Sequence, residues 1–331
     1  MKIISKIACI IFCTVLVLGT SSCGSDDDGN VVISTDNIVT ITTADSDLSI
    51  LVTALAAADG DLVSILNGSG PFTVLAPTNT AMEAFLTANN YADINAVPTD
   101  ELQQILLNHV IPGQVNSSAL INDVAGYAQT SSTAGPDGSA LSVYFNTTNG
   151  VVFNGSATVT TADIAASNGV IHKIDAVIGL PDLTTFATAD PNLSRLLEGL
   201  TAYSFDYVNT LQGDGPFTVF APTNAAFNDL LATNGAWDTP ADIDENTLET
   251  ALNLHVIPDS NLREADLTDG NLMTISGQVS IDANAKTVTD GADPANVCNI
   301  VSTDIQTTNG VIHLIDKVLL SPILLPPGGI N

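Results

Sequence analysis

Each half of the chain begins with apolar residues at helical spacing. It ends in short apolar runs, with turn-forming residues between them. Apolar positions three and four apart predict helices, such as Leu48–Ala58 and Asp100–Asn108 in the first half. Phe72–Leu75 and Leu141–Phe145 are short apolar runs bounded by turn residues, a pattern typical of buried strands. Helices followed by a run of short antiparallel strands indicate a domain of the α+β class.

Three sequence blocks occur twice in the same order, which divides the chain into two copies of one module. In the longest block, nine of ten positions are identical between copies that start 145 positions apart. A period of this length is too long for a solenoid unit, so each copy is predicted to be a complete domain, at residues 46–179 and 182–320. The paired blocks are Gly70–Asn79 with Gly215–Asn224, His109–Pro112 with His255–Pro258, and Asn168–Asp175 with Asn309–Asp316.

The first 22 residues have the pattern of a secretory signal peptide. Lys2 and Lys6 precede the apolar run Ile7–Leu18, and small residues follow it. As a helix, those twelve residues reach only ~18 Å, which is short of a ~30 Å hydrocarbon core. We therefore predict a signal peptide at residues 1–22; the alternative is a short membrane anchor that is never cut.

The end of this leader, Thr20–Cys23, resembles the lipobox of Bacteroidetes-type lipoproteins. The resemblance implies acylation of Cys23 and an outer-membrane lipoprotein of the cell envelope. The acidic run that follows resembles a surface-export signal, which implies exposure at the cell surface. Residues 23–45 are predicted to be an acidic, flexible tether, and residues 321–331, rich in Pro and Gly, a disordered tail.

The charge balance excludes whole classes of partner. Seven Lys and Arg face 36 Asp and Glu, for a net charge of −29, and no basic stripe is present. Binding to nucleic acid depends on Lys and Arg that displace counterions, so no nucleic-acid partner is expected. Docking on anionic lipid through charge is disfavoured for the same reason, which leaves the N-terminal lipid as the expected membrane attachment.

The cysteines offer neither a disulfide nor a zinc site in the body of the protein. Cys9 and Cys13 lie in the signal peptide, and Cys23 is the predicted acylation site. Cys298 alone remains, and a single cysteine forms no internal disulfide. We predict that Cys298 is a small buried residue in a strand.

All four histidines of the chain fall in the repeated blocks, and an aspartate closes the last block of each copy. A metal or catalytic site is one interpretation, but each copy has two histidines and no cysteine in register, too few for zinc. We predict instead that the histidines are buried and hydrogen-bonded and that the aspartates accept backbone hydrogen bonds. No catalytic residue, cofactor or metal is expected. These predicted structural residues are His109, His172, Asp175, His255, His313 and Asp316.

The repeated blocks resemble the signature motifs of the fasciclin domain, with the His-Val step between them. The resemblance implies that each copy is a twisted β-sandwich or wedge of short strands flanked by helices. It also implies an adhesion or matrix-interaction module whose partner is an extracellular protein or polysaccharide, and not an enzyme. Animal members often have Tyr before the middle histidine, a pair tied to integrin binding. This chain has Asn108 and Leu254 there, so integrin recognition is not expected.

A second hypothesis from a different class stays open at this point. In this hypothesis, the chain is a binding protein for a small ligand or signal. Its mark is a defined apolar pocket with convergent polar groups, which a sequence does not show.

Overall fold

The computed structural model describes residues 34–204, 207–292 and 295–321. The predicted signal peptide, the acylation site Cys23, most of the acidic tether and the tail after residue 321 lie outside the described residues.

The first domain begins with helices and ends with strands, as the apolar pattern predicts. Thr78 caps the helix after the first strand by accepting a hydrogen bond from the Ala81 N–H, and Thr223 does the same in the second domain. The helices of the first domain are α1 (Ile38–Ala44), α2 (Ser49–Ala57), α3 (Leu62–Leu66), α4 (Asn79–Ala88), α5 (Thr99–Asn108) and α6 (Ser117–Asp123). Its strands are β1 (Phe72–Pro77), β2 (Val110–Pro112), β3 (Ala125–Gln129), β4 (Ser142–Asn146), β5 (Val152–Phe153), β6 (Ala157–Ala166) and β7 (Gly169–Ile174).

The second domain repeats this order without a counterpart of α6 in the described residues. Its helices are α7 (Leu183–Ala189), α8 (Ser194–Thr201), α9 (Tyr207–Leu211), α10 (Asn224–Leu231) and α11 (Glu245–Leu254). Its strands are β8 (Phe217–Pro222), β9 (Val256–Ile257), β10 (Gly270–Met273), β11 (Gln278–Asp282), β12 (Thr287–Thr289), β13 (Val297–Thr307) and β14 (Gly310–Ile315).

Each domain contains one seven-stranded sheet of the same topology. The strand order is β2-β1-β7-β6-β5-β4-β3 in the first domain and β9-β8-β14-β13-β12-β11-β10 in the second. Strands β3 to β7 form the expected antiparallel run. The first strand, β1, pairs in parallel with the last, β7, and this pairing was not predicted from the sequence. It closes each domain by joining the two ends of its chain.

The sheet of the first domain is apolar on both faces. Val74 and Ala76 of β1 pack in a cluster with helix residues such as Leu51. The residue between them, Leu75, packs on the opposite face with Phe153. This alternation follows from the period of two along a strand. It produces the predicted architecture, a wedge of strands with helices against one side.

In each domain, a buried asparagine just before the last strand is hydrogen-bonded to the first helix and to the segment that precedes the first strand. Asn168 donates through Nδ2 to the carbonyl oxygens of Leu66 and Gly68, at 2.7 and 2.8 Å, and its Oδ1 accepts from the Ile38 N–H at 3.0 Å. Asn309 makes the same three contacts in the second domain. A Cβ on the next residue, Gly169, would lie 2.0 Å from the Phe72 carbonyl oxygen. The repeated Asn-Gly is therefore dictated by close backbone packing.

The prediction of a flexible tether through residue 45 is wrong for its last part. Helix α1 lies within that segment, and its first residue, Ile38, is buried in the core of the first domain. The Ser167 N–H also donates to the Asp36 carbonyl oxygen. The physical reason is that a short helix buries only one face, so Ile38 and Thr42 are enough to fix a segment that is otherwise polar.

No single helix in the described ranges is long and apolar enough to cross a membrane. One pair, α1 with Ser46–Ala57, reaches the required length and composition together, with a bend of 98° between its parts. Side chains of this pair, including Leu51 and Leu55, are buried in the core of the first domain.

Replacement of the buried asparagine is expected to destabilise the first domain strongly. Asn168→Ala leaves a buried N–H and two carbonyl oxygens without partners, and we expect it to lower the free energy of unfolding by about 3 kcal/mol or more. Asn89→Ala is the matched control, because the Asn89 side chain makes one exposed bond to the Phe85 carbonyl oxygen. Urea denaturation followed by circular dichroism measures both; equal losses in the two variants would contradict the assignment.

Candidate binding cleft between the two domains

The middle histidine of each copy fixes the end of a helix to the last turn of its domain. His109 follows α5, and its Nδ1 donates to the Ile105 carbonyl oxygen at 2.7 Å, while its Nε2 accepts from the Ile178 N–H at 2.9 Å. His255 makes the same two backbone contacts at 2.7 and 3.0 Å. Both ring nitrogens are therefore occupied, in the neutral form of the ring.

Burial keeps these two rings uncharged. It lowers the pKa of His109 to about 4 and that of His255 to about 4, since a charged ring would lose its water without gaining an anion. A proton on Nε2 would also break the bond from the backbone N–H. The arrangement suits a structural contact and offers no nitrogen for a metal or a proton transfer.

The second histidine of each copy holds a loop against the last strand. His172 Nε2 donates to the Val115 carbonyl oxygen at 2.9 Å, and Nδ1 accepts from the Asp163 N–H at 3.1 Å. His313 Nε2 donates to the Leu262 carbonyl oxygen at 2.8 Å. Its buried Nδ1 has no partner among the described residues, and burial lowers the pKa of His313. The two copies therefore share one backbone contact and differ in the other.

The aspartates that close the repeated blocks accept backbone hydrogen bonds, as expected. Asp175 accepts from the Thr158 N–H at 2.6 Å. Asp316 accepts from the backbone N–H of Asn299 at 2.7 Å and from its side chain at 2.6 Å. Each aspartate ties the start of one strand to the end of the next. That these residues have no role besides structure stays a prediction.

Chemistry-bearing side chains do not converge in the part of the chain that the structure describes. No group of three or more His, Cys, Asp or Glu there has the geometry to hold a metal ion. Cys298 is buried in β13, as predicted, and burial raises the pKa of its thiol to about 12. A thiol of this kind is a poor nucleophile.

A half-buried tyrosine of the first domain docks on the second. The Tyr127 hydroxyl, on β3, donates to Asp190 Oδ2 at 2.9 Å. Asp190 is 3% exposed and also accepts from the Asn192 N–H. The Tyr127 ring meets Phe186 of α7 edge to face at 5.4 Å and lies 5.1 Å from the Tyr144 ring. Burial raises the pKa of Asp190 and of Tyr127.

A second contact fixes the neighbouring strands. The Ser142 hydroxyl, at the start of β4, accepts from the backbone N–H of Gln306 at 2.9 Å, and this bond is buried. Together with the short connector at 179–182, it gives the two domains a defined relative position.

These interface residues were not found from the sequence, although the repeat contains a signal for them. Tyr127 pairs with Tyr144 across β3 and β4, and the corresponding pair in the second domain is Asn271 with Ser280. The first domain therefore has aromatic residues where the second, which has no further domain beside it in the described chain, has polar ones. Alignment of the two copies for their differences reveals the docking face.

The same contrast occurs on the other side of the interface. In the first domain, Lys173 lies 2.5 Å from Asp45 and forms an ion pair with it. In the second domain, Asp190 holds the position of Asp45 before its helix, and the fully buried Leu314 replaces the lysine. The lysine of the surface ion pair is thus replaced by a buried apolar residue, and the aspartate accepts a hydrogen bond from the neighbouring domain instead.

A cleft of about 460 Å³ lies beside this interface, between β3 of the first domain and β13 of the second. Its charged lining residues are three acids, Asp123, Glu264 and Asp304, and one base, Lys286. Glu264 is ion-paired with Lys286, which holds the pKa of that carboxyl below its usual value, and it accepts from the Thr303 hydroxyl at 2.6 Å. Asp304 is ion-paired with Arg263 at 3.6 Å. Backbone of both domains forms the walls of the cleft.

Comparison with known proteins identifies the class of protein that this fold defines. The family model of the Fasciclin domain matches residues 46–181 and 191–321. The chain therefore belongs to the fasciclin family and has two tandem copies of its domain.

Relatives occur in bacteria and in animals. Protein sll1483 of Synechocystis sp. is 40% identical over 141 residues, which are 43% of this chain and 72% of that protein. The transforming growth factor-beta-induced protein ig-h3 of Sus scrofa and the periostin of Homo sapiens are each 30% identical over 77% of this chain. Those matches cover 35% and 29% of the two animal proteins, so this chain spans about a third of their length.

A solved structure confirms the fold. The domain pair described as a FAS1 pair from the insect cell adhesion molecule Fasciclin I superimposes with a TM-score of 0.52 and 21% identity. The match covers 85% of this chain and 99% of that one, so it includes both domains. The predicted fold class, two tandem fasciclin-like domains of α+β type, is confirmed.

The two middle histidines are expected to make the protein less stable in mild acid. The pKa of each ring is about 4 in the folded chain and about 6.5 in the unfolded chain. As the pH falls from 7 to 5, the rings therefore take up protons in the unfolded chain but not in the folded one. We expect the free energy of unfolding to be lower at pH 5 than at pH 7 by about 2 kcal/mol for each histidine. Denaturant unfolding measures the loss, and NMR titration of the ring protons measures the folded pKa. Ring protons that titrate near pH 6.5 would contradict it.

Removal of the docking hydroxyl is expected to loosen the two domains. Tyr127→Phe removes the hydroxyl that donates to the buried Asp190 across the interface, and we expect the free energy of unfolding to fall by about 2 kcal/mol. Tyr91→Phe is the matched control, because Tyr91 donates to Glu101 within the first domain. In calorimetry, Tyr127→Phe is expected to split the unfolding transition in two, while the control keeps the wild-type profile. A single transition with unchanged midpoint in Tyr127→Phe would count against the docking role.

Proposed function

We propose that this chain is a lipid-anchored adhesion module of the cell envelope that presents two fasciclin domains outside the cell. Its partner is an extracellular protein or polysaccharide. The observation that carries the proposal is the match of both domains, as a pair, to a domain pair from an insect cell adhesion molecule. Membership of the family in both halves of the chain supports it.

The anchor and the location rest on the N-terminal sequence. The leader and the lipobox-like Thr20–Cys23 supply a diacylated cysteine, and stable anchoring takes more than one acyl chain. The acidic run after Cys23 repels an anionic membrane surface and so extends the domains away from it.

The surface composition suits many weak contacts. Charged residues make up only 13% of the chain, so Thr, Ser and Asn carry much of the polar surface and offer hydrogen bonds to glycans or proteins. Two domains on each chain and many chains on one membrane raise the effective concentration of such contacts. Weak binding in solution then becomes firm attachment when the protein is displayed.

The cleft volume favours one second candidate, a receptor for a small ligand. A volume of about 460 Å³ is within the range of small-molecule sites. A receptor of this kind binds its ligand equally well in solution and on a membrane, whereas an adhesion module depends on display.

Retention of cells on a coated surface tests the proposal. Cells that display the full chain are expected to remain on surfaces coated with extracellular matrix protein or with polysaccharide at several times the level of cells that lack it. Cys23→Ala removes the acylated thiol and is expected to abolish retention, because the protein is no longer held on the cell. Mass spectrometry of the N-terminal peptide and protease treatment of intact cells check acylation and exposure.

Cys298→Ala is the matched control, since it makes the same substitution at a buried cysteine away from the leader. Cells with this variant are expected to be retained like cells with the unaltered protein. Equal retention of cells with and without the displayed protein, on both kinds of coating, would overturn the proposed function.

A further inference from the structure

The strand β3 has an open edge that faces the cleft. In the antiparallel pairing of β3 with β4, the backbone N–H and C=O groups of successive residues point alternately towards β4 and away from it. Gly126 and Ala128 form one set of alternate residues, and Ala125, Tyr127 and Gln129 form the other. The Thr147 N–H donates to the Val124 carbonyl oxygen, and the Thr130 N–H to the Leu141 carbonyl oxygen. These two bonds set the alternation.

It follows that Gly126 and Ala128 direct their backbone N–H and C=O groups to β4. Ala125, Tyr127 and Gln129 direct theirs to the other side, where no strand pairs with β3 in the described part of the chain. The open edge thus presents three N–H and three C=O groups in a row to the cleft.

The opposite wall is a second uncovered strand edge. The Ile300 N–H of β13 donates to the Lys286 carbonyl oxygen beside β12, and the Gln306 N–H donates to the Ser142 hydroxyl. Between these two contacts, Ser302 and Ile305 of β13 pair with β14, with an irregularity in the pairing between them, and residues 301–305 all line the cleft. The gap between the two domains is therefore bounded by the open edge of β3 on one side and by an uncovered edge of β13 on the other.

The devices that usually protect an edge strand are missing from β3. Its sequence, Ala125–Gln129, has neither a charged residue nor a proline. Exposed apolar side chains lie beside it instead: Ile121 and Val124 are each 55% exposed, and Val301 on the opposite wall is 42% exposed. Val124 has φ 66° and ψ −52°, a strained conformation for a β-branched residue, at the head of the open edge.

The backbone groups, charges and apolar side chains around the gap indicate what kind of partner it binds. A row of backbone donors and acceptors matches an extended polypeptide, which offers the same groups at the same spacing. Lys286 and Arg263 each form an ion pair with one of the three acids, so Asp123 and the net charge of −29 of the whole chain are what favour basic side chains. The apolar rim favours alternating apolar ones. Two aromatic residues line the cleft: the Phe145 ring is buried, and the Tyr127 ring packs against Tyr144 and Phe186.

We propose that the cleft binds an extended segment of a partner protein, rich in Lys or Arg alternating with apolar residues, as an added strand on β3. The segment pairs with Ala125, Tyr127 and Gln129 and lies against residues 301–305 of β13. This inference rests on the proposed function in one respect, that the partner is an extracellular protein.

The second domain supplies an internal control. Its edge strand β10 corresponds to β3, and Met273 holds the register of Gln129, because Met273 pairs with Gln278 as Gln129 pairs with Ser142. No strand of another domain faces β10 in the described chain. We therefore expect the peptide to bind at β3 and not at β10.

Binding is measured with the full chain, purified in detergent, on an array of seven-residue peptides. In one set, Lys or Arg alternates with Val, Ile, Thr, Tyr or Phe; in a second set, Asp or Glu replaces the basic residues; in a third, proline interrupts the strand. Peptides of the first set are expected to retain the chain at least tenfold more than those of the other two. Oligosaccharides printed beside them test the alternative partner.

Two pairs of matched variants locate the site. Gln129→Pro removes an open-edge N–H and spares the bonds to β4, so we expect at least tenfold weaker binding, while Met273→Pro keeps binding within twofold. Val301→Lys places a positive charge in the cleft and is expected to weaken binding tenfold. Val297→Lys, on the same strand but outside the cleft, is expected to leave it unchanged.

Hydrogen exchange gives a reading residue by residue. Bound peptide is expected to slow exchange at the amides of Ala125, Tyr127 and Gln129 and to leave Gly126 unchanged. Failure of every peptide to bind, retention by oligosaccharides alone, or equal losses in Gln129→Pro and Met273→Pro would overturn the proposal. The assay is made in solution, so peptide binding without cell retention contradicts the proposed function alone, and retention without peptide binding contradicts this inference alone.

Discussion

The relative position of the two domains depends on the burial of one aspartate under a tyrosine of the neighbouring domain. A carboxyl group as buried as Asp190 is costly unless it is hydrogen-bonded, and the Tyr127 hydroxyl supplies that bond across the interface. Phe186 and Tyr144 pack around the same ring and keep water away from it. Because the walls of the cleft come from different domains, the cleft depends on this contact and on the buried bond between Ser142 and Gln306.

Within each domain, the shared residues have a different purpose from those at the interface. The histidines and the Asn-Gly pairs occupy backbone groups that would otherwise be buried without partners, and they do so twice with nearly the same distances. Residues at the interface break the repeat: a tyrosine replaces an asparagine and a leucine replaces a lysine. Duplication thus explains the scaffold, and divergence between the copies explains how the domains dock and leave a cleft.

The sequence predicts the helices, the short strands, the α+β class and the burial of Cys298, because these depend on local periodicity and on repeated motifs. It does not predict the parallel pairing of β1 with β7, which depends on contacts between distant parts of the chain. Helix α1 was missed because two buried residues are too few to give a periodic signal. The cleft was missed because its lining is mostly backbone, and the positions of backbone edges in two domains leave no pattern in residue types.

The two domains form one rigid body with the cleft between them. Residual dipolar couplings of the backbone amides in the described ranges test it most directly, because they report the orientation of each domain in solution on one scale. We expect the couplings of both domains to fit a single alignment tensor with the relative orientation of this structure. Two tensors of different magnitude, one for each domain, would show independent motion and contradict it.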